Sequence, residues 1–80
     1  MPLIPIHDTT ELGTLVRRLR RQQGVRQDDM AAIIGASHVF LRDVELGKGT
    51  VQLGKVLQLL DELGVRLHLE VPEQVTGDEA

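Results

Sequence analysis

Apolar residues recur along this chain at two different periods, and the change from one to the other divides it. Leu12, Leu15, Val16 and Leu19 stand three and four residues apart, which makes one stripe of a helix. Thr9 or Thr10 is placed to cap that helix, Glu11 suits its first turn, and Gly24 stops it. Gly13 inside it costs about 1 kcal/mol relative to alanine, which points to close packing against another backbone. Met30, Ile33 and Ile34, then Phe40, Leu41 and Val44, keep helical spacing with one interruption at Gly35 and Ala36. That predicts two short helices, over 27–34 and 37–46, followed by a glycine-rich turn at 47–50. A fourth helix, over 52–63, is predicted from Leu53, Val56, Leu57, Leu60 and Leu63; Leu59 falls off this stripe and is a candidate for an intermolecular contact. After Gly64 the period becomes two: Val65, Leu67, Leu69 and Val71 alternate with Arg66, His68 and Glu70, a strand.

The flanks carry no such pattern. Residues 1–8 hold Pro2 and Pro5 among Leu3, Ile4 and Ile6, which excludes a helix and allows an arm or an edge strand. Residues 72–80 are polar and acidic apart from Val75, an expected flexible tail. The predicted organisation is an N-terminal arm (1–8), a helical domain (9–64), a dimerisation strand (65–71) and an acidic tail (72–80).

The stretch from Gln27 to Lys48 is the centre of this plan. Ala31 lies where two helices would cross closely, Gly35 can take the left-handed conformation that ends a helix, and Ser37 can accept from a backbone N–H at the start of the next. Two helices around such a turn are a helix-turn-helix. With Gln27, Ala31, Gly35, Ser37, Glu45 and Gly47-Lys48 at these positions, the sequence from Leu12 to Leu63 resembles the Cro/repressor-type helix-turn-helix family. With its C-terminal extension it is most similar to the HipB-type antitoxins. Arg26 stands where that family usually has a capping threonine, and Ala36 where a larger residue often fills the turn.

The resemblance implies an all-α, lambda-repressor-like domain of four main helices, with the C-terminal β-strand pairing across a dimer. It also implies that the third helix enters the major groove of DNA, so that Ser37, His38, Val39 and Arg42 match base-reading positions, with Asp43 at the margin. By residue type, Arg42 could bond both acceptors of a guanine and Val39 could touch a thymine methyl. Gln27 matches a phosphate-binding residue at the start of the second helix, and Arg17, Arg21 and Lys48 suit further phosphates. Arg20 and Glu45 match a structural ion pair between the first and third helices. The partners implied are double-stranded operator DNA with an inverted repeat, a second copy of the chain and a HipA-like kinase toxin. A phage-type or restriction-controller repressor without a toxin and a protein-binding adaptor are the alternatives.

Composition changes this picture at one point. The net charge of −3 argues against nucleic acid, but its distribution argues for it. Between Arg17 and Lys48 seven basic residues face four acidic ones, a local +3, while the remainder has two basic and eight acidic, −6. A basic segment beside an acidic remainder fits one phosphate-facing side. Eighty residues make one domain whose core alone is marginal, which favours help from a partner. There are no cysteines, so thiolate metal sites are excluded; the N-terminus does not read as a signal peptide and no apolar run approaches a membrane span, which together predict a cytoplasmic protein, a bacterial one by the resemblance. His7, His38 and His68 are scattered, and the single serine serves as a cap, so neither a catalytic constellation, a metal site nor a small-molecule cofactor is expected.

The strand demands something outside the chain. One strand of about seven residues cannot satisfy its own ladder groups. Paired antiparallel with itself across a two-fold axis at His68, it sets Arg66 opposite Glu70 of the second copy. Pairing with Leu3 to Ile6 is the competing arrangement, which Pro2 and Pro5 disfavour.

Overall fold

A computed structural model describes residues 2–73. Four helices follow in order: α1 (Thr9–Gln22), α2 (Gln27–Ile33), α3 (His38–Glu45) and α4 (Leu53–Glu62). These are the predicted helices, with ends one residue or so shorter. The third lies against both α1 and α2.

The start of α1 differs from expectation. Asp8, not Thr9 or Thr10, is the cap, its carboxylate accepting from the Glu11 N–H at 2.8 Å. Glu11 reaches back in turn to the His7 N–H at 2.7 Å, so two otherwise unpaired donors are closed reciprocally. Thr9 bonds far along the chain instead, its hydroxyl donating to the Gly47 carbonyl just beyond α3 at 2.7 Å.

Two further side chains close helix ends in the same way. Gln23, the residue after α1, donates to the Leu63 carbonyl after α4 at 2.9 Å. Lys55 of α4 donates to the Ile34 carbonyl after α2 at 2.9 Å, and α2 has no basic residue of its own in its last turn. At the other end of α2, Arg26 provides no side-chain cap, and only Asp28 and Asp29 complement the helix dipole there. Ser37 does cap α3, accepting from the Phe40 N–H at 3.2 Å. The turn between α2 and α3 rests on Gly35, whose φ of +69° L side chains rarely adopt.

Val16, Met30, Ala31, Ile34, Leu41, Val44, Val56, Leu59, Leu60 and Leu63 form one buried core. Leu59 corrects the reading of α4: it is wholly buried, whereas Leu53 and Leu57 are 67% and 43% exposed. Val56, Leu60 and Leu63 are buried as the predicted stripe requires, and the difference is that Leu59 joins them while Leu53 and Leu57 face outward. The buried face is therefore rotated toward Leu59, where the other helices cover it.

Val65 is half-buried against the core, and beyond it residues 66–72 are exposed and belong to no helix. Among the described residues no ladder partner pairs with them. Most of the predicted acidic tail, residues 74–80, lies outside the described part. The arm, residues 2–7, is also irregular; Ile4, Pro5, Ile6 and His7 form a shallow groove with Thr10, Glu11, Thr14, Leu15 and Arg18 of α1.

Candidate nucleic-acid interface

The first turn of α3 projects from the body of the domain. Ser37, His38, Val39 and Arg42 are all exposed, and helical spacing places His38, Val39 and Arg42 on one side. The cap spends a lone pair of the Ser37 hydroxyl but leaves its proton available to donate. Asp43 is half-buried and pairs with Lys48 at 3.5 Å, so the carboxylate at the margin of this surface is partly neutralised.

The start of α2 faces the start of α3. Arg26, Gln27, Asp28 and His38 line one shallow groove, with the edge of Arg20 at its base. Arg26 forms an exposed pair with Asp28 at 3.3 Å. Arg17 and Arg21, one turn apart on α1, are exposed cations. The domain thus carries an exposed helix start with Arg26 in the groove beside it and further exposed cations on α1.

Beneath this surface lies a buried ion pair. Arg20 donates from Nε to Glu45 Oε2 at 2.6 Å and from Nη2 to Glu45 Oε1 at 2.9 Å, and its Nη1 donates to the Val25 carbonyl at 2.9 Å. The two side chains are 10% and 4% exposed. The hydrogen bonds to Glu45 hold the Arg20 pKa above its ordinary value, against the opposing effect of burial and helped by the Glu45 charge. Among the described residues no buried side-chain polar atom lacks a partner.

Two features of this region had no signal in the sequence. Gln27 Nε2 donates to Glu45 Oε1 at 3.1 Å, joining the start of α2 to the end of α3; no local spacing relates positions 18 apart. Arg26, in the sequence a missing cap and one of the seven basic residues but not a site residue, lines the groove. Among the described residues there is no cluster of three or more potential metal ligands, and no helix long and apolar enough to cross a membrane.

Comparison with known proteins gives this geometry a context. Residues 11–71 match a family model described as a helix-turn-helix domain. The chain is 42% identical over 67 residues to an uncharacterized HTH-type transcriptional regulator, y4mF, of Sinorhizobium fredii, an alignment spanning 84% of this chain and 88% of that protein. Its fold superposes on a chain of the HipA-HipB-O2-O3 complex with a TM-score of 0.78 at 21% identity, over 89% of this chain and 100% of that one. It also superposes on the restriction-modification controller protein C.AhdI from Aeromonas hydrophila with a TM-score of 0.66 at 29% identity, over 74% and 86% of the two chains.

Proposed function

We propose, from the premise that this chain belongs to the helix-turn-helix family, that it is a dimeric repressor of its own operon and the antitoxin of a HipA-like kinase. At the level of the family it is a DNA-binding transcriptional regulator. The observation that carries the DNA reading is the exposed start of α3, with Ser37, His38, Val39 and Arg42 at the surface and Arg26 and Gln27 lining a groove with His38; Arg17, Arg21 and Lys48 are further exposed cations for phosphates. A gel shift with the chain's own upstream promoter tests it, and failure to retard that duplex at low salt would favour the adaptor.

Within this reading Arg42 reads a base and Arg21 meets a phosphate. Arg42→Ala is expected to lose about 1 to 3 kcal/mol of operator binding and to relax preference at one base pair. Arg21→Ala is expected to weaken all sequences alike and lower the salt slope by about 1. Titration of both variants on operator and random duplexes at several salt concentrations separates the two roles. Equal loss on both duplexes for Arg42→Ala would remove it from the reading set.

The dimer rests on residues 65–71. Leu67, Leu69 and Val71 are 59%, 80% and 49% exposed, an apolar alternation that a second copy would cover. With His68 on the two-fold axis, Arg66→Glu is expected to weaken the dimer by setting like charges opposite each other, and adding Glu70→Arg to restore much of it. Sedimentation at several concentrations measures both. Loss without rescue would exclude this register. In the dimer, the two third helices should address half-sites whose centres lie roughly 34 to 36 Å apart.

The toxin partner is supported by the fold of the HipB-containing complexes, and the controller alternative by the higher identity to C.AhdI. A kinase-like gene directly downstream, whose product co-purifies with this chain, would decide for the antitoxin.

A further inference from the structure

Glu45 has more to do than neutralise Arg20. Its Oε1 receives two donors, Arg20 Nη2 and Gln27 Nε2, and its Oε2 receives Arg20 Nε. A carboxylate only accepts, so the Gln27 amide must turn its nitrogen inward, which leaves its carbonyl oxygen and second N–H available at the groove shared with His38. The Gln27 side chain is thereby fixed in one direction before any ligand arrives. Glu45 is itself immobile, being buried, held by Arg20 through two bonds, and set in the last turn of α3.

We infer that Glu45 is a positioning residue for DNA: it preorganises the amide of Gln27 for a phosphate at the groove between the starts of α2 and α3. The inference rests on the DNA-binding reading. A glutamine free to rotate would lose its side-chain freedom on binding, and avoiding that loss corresponds to a gain in affinity of roughly 2- to 12-fold. The charged pair and the DNA surface are in this way one device, with Arg20 holding Glu45 and Glu45 holding Gln27.

The test is a cycle on duplex DNA carrying the chain's own upstream promoter. Gln27→Ala is made in the wild-type chain and in an Arg20→Met/Glu45→Leu background, which replaces the ion pair by apolar side chains at no change in net charge. The background alone is expected to bind roughly 2- to 12-fold more weakly, with an unchanged dependence on salt, because no exposed cation is removed. Gln27→Ala is expected to cost clearly less there than in the wild type. An equal cost in both backgrounds would overturn the positioning role while leaving DNA binding intact; a wild-type chain that fails to bind the promoter would instead overturn the reading beneath it. Should the apolar pair fail to fold, the wild-type chain free of DNA still decides. The heteronuclear NOE of the Gln27 side-chain amide is expected to match that of rigid backbone amides, and a mobile amide would refute the preorganisation.

Discussion

Glu45→Ala is expected to destabilise the fold by about 3 to 5 kcal/mol, because it leaves the Arg20 guanidinium, whose side chain is only 10% exposed, without its carboxylate. The same substitution removes the acceptor of the Gln27 amide. A domain of this kind holds about 5 to 15 kcal/mol in all, so a large share would go, and urea denaturation would show it as a much lower midpoint. The intact pair, by contrast, adds little net stability, since both groups gave up hydration to form it. Arg20→Met combined with Glu45→Leu is therefore expected to recover most of the loss. The raised Arg20 pKa fixes the sign of the contribution from Arg20 itself: it is present below the ordinary arginine value and is lost as pH rises past the higher, folded one. Ordinary pH changes will not discharge Arg20, so substitution is the way to remove its charge. A loss below about 1 kcal/mol for Glu45→Ala would mean that the pair is solvated in practice.

Gly13→Ala is expected to lose about 2 to 3 kcal/mol, although helix propensity alone predicts a gain of about 1. A Cβ at Gly13 would lie 2.3 Å from the Val44 carbonyl oxygen and 2.8 Å from that of Glu45. Both are backbone atoms, so no side chain can rotate away, and α1 and α3 would have to separate. Gly54 in α4 is the control, since a Cβ there meets nothing within 4 Å. Gly54→Ala is expected to stabilise by roughly 0.5 to 1 kcal/mol. Thermal or urea unfolding of the two variants should move in opposite directions. A gain at Gly13 would show that the helices shift apart at no cost.

The helices were legible because each depends on short-range spacing: Leu12 to Leu19, Met30 to Val44 and Val56 to Leu63 mark their own elements. Ser37 and Gly35 were readable for the same reason, since a cap and a turn are decided within a few residues. What escaped depended on distant partners. Thr9 looked like a cap, but its hydroxyl is taken by Gly47, 38 residues away, and Asp8 caps instead. Leu59 and Leu57 sit in equally apolar surroundings in the sequence, and only the positions of the other helices distinguish the buried one from the exposed one. At the site, residue types alone picked out cations and a capping serine; the grouping of Ser37, His38, Val39, Arg42 and Gln27 came from resemblance to a family. The bond from Gln27 to Glu45 was visible in neither. The strand expected at 65–71 is a different case, because its alternation is plain in the sequence while no ladder partner stands among the described residues.

The three carbonyls closed by Thr9, Gln23 and Lys55 bear on how the domain comes apart. A short helix ordinarily frays from its last turn, the part with the fewest internal bonds. Here the last turn of α3 is held from the start of α1, that of α4 from the end of α1, and that of α2 from α4. Fraying at any of these three ends must first break a bond to another part of the bundle, which adds about 0.5 to 1.5 kcal/mol to each opening. Hydrogen exchange in the last turns of α2, α3 and α4 is therefore expected to quicken when Lys55, Thr9 or Gln23, respectively, is replaced by alanine.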